Sequence, residues 1–346
     1  MPFIPEIKFD DITVAKKYTG AYDYERCRNA LWSIYNIIKK IAGITHPRIV
    51  ECLCNIGVHG AFENDNMTAI VFSGLTRKGY KRGLPAAKYL FELEKYGFVF
   101  YDLITSKDVP RNNLAAKDIT QFTLSYNANA GDFTDVIFGL KLFTDACMTQ
   151  PSPLGLMITA DIRVAFEGVP KIYAPPAEEV FSFLPEDQKK AAMTVHNKLE
   201  ELGCIRQPDG EATKYINAKN KGQVMATIWV GERIWFIPEH EQHQKVVFKF
   251  NLRNIDKYED YLSECTDSVI QSLIKTDECW LEGNYDTNHC ANGGGKSCVG
   301  AMFTYQDKTY RKCLRYFCIF KDFSEQAVEN YIKLIEFENK ELKNGR

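Results

Sequence analysis

Leu31, Ile34, Tyr35, Ile38, Ile41 and Ala42 recur at intervals of three and one residues, the spacing of one apolar helix face, and Gly43 supplies the stop. Pro47 suits a first helical position, and Ile49, Val50 and Leu53 continue with helical spacing as far as Gly57. A short helix is expected from Leu84 to Tyr96, closed by Gly97. Phe98 to Ile104 and Ile119 to Tyr126 are β-branched and aromatic runs on either side of a polar loop with Pro110, the pattern of a long hairpin. Val136, Ile137, Leu140, Phe143 and Cys147 form another helix face.

The pattern resumes with a helix over Asp187 to Leu202, ended by Gly203. Strands are expected at Val224 to Val230, Ile234 to Ile237 and Val246 to Asn251, with Gly231-Glu232 turning between the first two. Tyr258, Tyr261, Leu262, Cys265, Val269 and Leu273 predict one helix over Asp256 to Ile274. Two strands flank Gln306-Asp307-Lys308, and a last helix starts near Ser324, with Glu338 to Arg346 expected to fray. Strands and helices in blocks predict an α+β protein with antiparallel sheet. Six prolines between Pro151 and Pro185 mark the boundary. The expected organisation is a winged-helix-like domain over 1–150, a Pro-rich connection over 151–186 and a helix-and-antiparallel-sheet domain with a Cys-rich hairpin over 187–346.

Composition narrows the classes. The chain has 346 residues, 45% of them hydrophobic and 25% charged, within the range of folded globular proteins. Net charge is −2, so nucleic acid cannot be held by bulk charge and needs a local patch. Nowhere do 18 apolar residues run together and no export signal opens the sequence. Eleven cysteines in such a chain fit reduced thiols, and the expected location is the cytoplasm, away from any membrane.

Three helices followed by a hairpin resemble the winged helix, in which the helix before the hairpin enters the DNA major groove. Between Asp65 and Glu92 the charged residues are all basic: Arg77, Lys78, Lys81, Arg82 and Lys88. They are the candidate nucleic-acid-binding residues, placed for phosphate contacts at the start of the third helix. The alternative weighed against DNA is a solvated basic loop in a domain that binds proteins.

The second half carries the remaining candidate chemistry. Gly295-Lys296-Ser297 ends like a phosphate loop, but Cys290 occupies the position of the first glycine and a strand pattern follows. His289, Cys290, Cys298 and Cys313 are zinc-type ligands, although their spacing contains no C-x2-C knuckle; zinc is the one cofactor considered. Along Tyr310 to Phe320, Arg311, Cys313 and Arg315 share one strand face, where two guanidinium groups would favour a thiolate and could grip a small anionic ligand. A turn at Asp307-Lys308 would set Cys313 near Met302. His240 and His243 read as surface loop.

From about Val247 to Glu338, the succession Val247-Phe248-Lys249-Phe250-Asn251-Leu252, the spaced Cys279, Cys290 and Cys298, then Phe303-Thr304-Tyr305 and Tyr310-Arg311-Lys312-Cys313 resembles a family of uncharacterised bacterial proteins. That family's C-terminal domain carries spaced cysteines and an F-T-Y…Y-x-K-C signature. The resemblance covers about a quarter of the chain; it implies a cytosolic bacterial origin and the grouping of Cys290, Cys298 and Cys313. The functional expectation is a non-enzymatic regulator or a protein that binds a ligand or partner. The alternative is a thiol- or zinc-dependent enzyme centred on Arg311, Cys313 and Arg315.

Overall fold

A short helical turn, α1 (Lys16–Thr19), precedes α2 (Tyr24–Ile44), in which the stripe expected from the spacing is fully buried from Leu31 to Ile41. The coordinates are a computed structural model that describes residues 4–20, 22–44, 47–69, 87–114, 118–127, 133–151, 153–209, 212–217, 223–231, 234, 241, 243–275, 301–312 and 318–344. The protein is α+β, with antiparallel sheets. It divides into two compact units, residues 1–175 with 208–210 and residues 176–207 with 211–346.

In the first unit α2 is followed by α3 (Pro47–His59), β1 (Ala61–Glu63), β2 (Asn66–Ala69), α4 (Ala87–Phe91), β3 (Phe98–Thr105), β4 (Ile119–Tyr126) and α5 (Val136–Cys147). Among the described residues the sheet has the order β1-β2-β4-β3. The expected hairpin pairs Phe100 with Leu124, and Phe98, Phe100, Phe122 and Leu124 turn inward. The β1–β2 hairpin escapes the sequence pattern because its strands are short; Asn64 and Asp65 make its turn with φ of 50° and 59°, as a two-residue turn requires. The third expected helix is shorter, since α4 tightens into a 3-10 segment over Glu92–Tyr96 before Gly97, at φ 91°, ends it. Helices α2 and α5 meet backbone to backbone: a Cβ on Gly139 would stand 2.1 Å from the Ala30 carbonyl oxygen.

The proline-rich stretch as far as Pro175 is built into this unit. Helix α6 (Pro153–Ile158) and a 3-10 turn over Ile162–Ala165 bury Leu156, Met157, Ile162, Val164 and Ala165 in the same core as α2 and α5. Proline punctuates short helices here, and apolar side chains between the prolines anchor them.

The second unit contains α7 (Ala177–Val180), α8 (Glu186–Glu201), β5 (Cys204–Asp209), β6 (Ala212–Asn217), β7 (Gln223–Val230), β8 (Val246–Phe250), α9 (Asp267–Ile274), β9 (Ala301–Tyr305), β10 (Lys308–Lys312), β11 (Ile319–Phe320) and α10 (Glu325–Asn344). Among the described residues its sheet runs β11-β8-β7-β6-β5, and β9 with β10 forms a separate hairpin. One sheet face presents Tyr215, Ile228, Phe248, Phe250 and Phe320 to the core shared with α8 and α10, where the Tyr331 ring lies 4.8 Å from Phe320.

Three expectations are corrected here. The helix over 256–274 is broken into 3-10 segments, Ile255–Lys257 and Glu259–Glu264, followed by α9, because Cys265 and Thr266 are extended and Asn330 Oδ1 captures the Thr266 N–H at 3.0 Å. The β9–β10 turn consists of Gln306 and Asp307, both at positive φ, so Arg311 rather than Cys313 stands opposite Met302. The last helix does not fray at Glu338: Glu338 is 0% and Asn339 2% exposed, and α10 continues to Asn344.

Candidate binding groove

Most of the sequence-chosen chemistry falls outside the described residues: Arg77, Lys78, Lys81, Arg82, His289, Cys290, Cys298, Cys313 and Arg315 all do, as do Glu232, Ile237 and His240. Lys88 belongs to α4. Arg311 lies in β10, half-buried, while its neighbour Lys312 points to the core, 2% exposed, and donates from Nζ to the Ile274 carbonyl at 2.7 Å. Among the described residues no group of three or more His, Cys, Asp or Glu side chains could hold a metal ion, and no helix is long and apolar enough to cross a membrane. His243 is exposed in a turn, its carbonyl accepting from Gln188 Nε2 at 3.3 Å.

The described residues do form a groove in the second unit. Helices α8 and α10 run in the same direction, as two ion pairs show: Lys190 with Glu325 near their starts and Lys198 with Glu336, 2.7 Å apart, further along. On one side of this contact small residues of α8, Ala191 and Thr194, and Phe323 and Val328 line a cavity of about 530 Å³. A second cavity of about 320 Å³ shares Thr194, Val328 and Glu329 and extends past Ile332 to a wall made by Tyr261 and Glu264. From Glu325 to Lys333 the two cavities follow the first turns of α10, about 12 Å at helical rise.

Each wall is fixed from behind. Ser324 caps α10 with its Oγ 3.4 Å from the Ala327 nitrogen, and Asp322 Oδ1 accepts the Ser324 N–H at 2.9 Å. Burial raises the Asp322 carboxyl, but hydrogen bonds from Ser268 and Ser324 outweigh it and hold the group below its ordinary value. Asn330, 2% exposed, accepts from Thr266 and donates to the Tyr261 hydroxyl at 3.0 Å, which sets the tyrosine upright as the far wall. The apolar floor is thus preformed, whereas the rim is charged: Asp187, Glu264 and Glu329 are exposed and have no ion-pair partner among the described residues.

Two further polar clusters stabilise this unit away from the groove. Glu338 accepts from the backbone N–H groups of Arg253 (3.1 Å) and Asn254 (3.0 Å), from Asn254 Nδ2 (2.8 Å) and from the Tyr258 hydroxyl (2.8 Å). Burial raises its carboxyl above the ordinary value despite these donors. His196, on α8, meets the Tyr215 hydroxyl through Nδ1 at 3.0 Å, and burial lowers its imidazole. Neither cluster opens into the groove. The α8 and α10 stripes were legible in the sequence, but the gap between them arises where Ala191 and Thr194 are too small to fill the interface, a property of the pair that one stripe cannot display.

No protein-family model, curated protein or solved structure matches this chain.

Proposed function

We propose that this chain is a non-enzymatic binding protein whose second unit receives an apolar ligand or partner segment in the groove between α8 and α10. The observation that carries the reading is the pair of adjacent cavities, about 530 and 320 Å³, with an apolar floor of Ala191, Val328 and Ile332 and walls held by Asn330 and Asp322. Binding sites have this build, a preformed apolar concavity with a few polar groups at its margin. Nothing in the groove resembles a nucleophile beside a base, so binding rather than turnover is the chemistry it supports.

Nile red, a neutral dye whose emission rises in apolar surroundings, tests this directly. Saturable binding is expected, and Thr194→Arg, an exposed substitution at the point shared by both cavities, should abolish it without moving the thermal transition. Equal dye binding by the wild-type and Thr194→Arg proteins would overturn the reading.

A further inference from the structure

We infer that the occupant of the α8–α10 groove is a cationic amphipathic segment of a partner protein, about two helical turns long, with an apolar stripe on the floor and lysine or arginine at the rim. The inference rests on the groove being the binding site and goes beyond it by naming the occupant's chemistry. Length argues first. The lining follows about 12 Å of α10, too long for one side chain, and matches apolar residues spaced i, i+4 and i+7 on a docked helix.

Charge argues next, and more strongly. The rim contributes Asp187, Glu264, Glu325 and Glu329 against Lys190 and Lys333. Both ammonium groups are already engaged, Lys190 with Glu325 and Lys333 with Glu336 at 3.4 Å. The three carboxylates left over stand on three different elements, Asp187 at the larger cavity, Glu264 at the smaller and Glu329 at both, so their fields add over the groove. An acidic peptide or anionic lipid surface would be repelled there, while a basic segment would pair with carboxylates that the fold leaves unneutralised.

The probe is a fluorescein-labelled synthetic helix of leucine at a 3- and 4-residue spacing with lysine elsewhere, compared with the same peptide bearing glutamate in place of lysine. Anisotropy should show saturable binding of the lysine peptide only, weakened about tenfold between low and high salt as the rim field is screened. Reversing the rim with Glu264→Lys and Glu329→Lys should weaken it at least fivefold. Two results separate the two levels of the argument. If the dye binds but the lysine and glutamate peptides bind alike, or neither binds, the groove stands and the cationic partner is wrong. If dye and peptide both fail, the groove itself is not a binding site. Peptide binding that survives both the rim reversal and Thr194→Arg would place the interaction elsewhere and also overturn the inference.

Discussion

The Tyr258 hydroxyl donates to Glu338 Oε2 at 2.8 Å inside the second unit, joining the 3-10 turn after β8 to the far end of α10. A carboxylate that accepts four hydrogen bonds and sees no solvent ties the last helix to the loop that leads to the Tyr261 wall of the groove. Breaking one donor leaves a buried charge short of a partner, which costs about 1–3 kcal/mol, so Tyr258→Phe should lower the stability of this unit by that amount in a urea titration.

The same carboxyl makes a signed pH prediction. Its folded-state pKa is raised above the unfolded value of 4.5, chiefly by burial, so its contribution is fully present below 4.5 and is lost as pH rises through the folded value. The stability of the wild type minus that of Glu338→Gln should therefore increase as pH falls from neutral toward 4.5. A difference that shrinks over this window would mean the four donors outweigh burial.

His196 carries the opposite sign. Burial holds its imidazole below the ordinary 6.5, so the neutral ring stabilises the fold above that pH and the benefit is lost as pH falls from 6.5 through the folded value. His196→Gln removes the titration, and the wild-type minus variant stability should decline on acidification below 6.5, by up to about 1.4 kcal/mol per pH unit. Parallel urea midpoints for the two proteins from pH 7 to 5 would contradict this.

In the first unit the tightest constraint is steric. Gly139→Ala would drive a methyl to 2.1 Å from the Ala30 carbonyl oxygen, and since both partners are helix backbone, α2 and α5 must separate. A loss of about 2 kcal/mol or more is expected in the unfolding transition of that unit. An unchanged midpoint would show that the helices part freely.

Legibility followed the range of the interactions. Long apolar stripes such as Leu31 to Ala42 and Val136 to Cys147 announce helices because one face must meet the core, whatever the partner. Cys265 and Thr266 interrupt an equally good stripe because Asn330, distant in sequence, takes the Thr266 N–H. Glu338 looked like a solvated tail residue because charge alone suggests exposure, and its four donors come from residues some 80 positions earlier. Strands β5 and β6 carry Arg206, Gln207, Pro208 and Lys214 among their apolar positions, which blurs the alternation that a pattern reading needs. The groove was not legible at all, since it is a space between helices.

The described thiols are buried or half-buried. Burial raises every described cysteine: Cys204 to about 11, Cys265 to about 12, and Cys27, Cys52, Cys54, Cys147 and Cys318 likewise upward. Mild alkylation near pH 7, read by peptide mass, should leave these seven unlabelled. Early labelling of Cys318 or Cys147 would contradict the buried assignment.

The groove reading is tested most directly by methyl NMR on protein carrying labelled isoleucine. Ile332 borders the smaller cavity, whereas Ile34 and Ile38 are sealed in the core of the first unit, and the Ile332 signal is assigned by its loss in Ile332→Val. Saturating Nile red should shift the Ile332 methyl and leave Ile34 and Ile38 in place. Shifts confined to other isoleucines, with Ile332 unmoved, would contradict the assignment of the α8–α10 groove as the binding site.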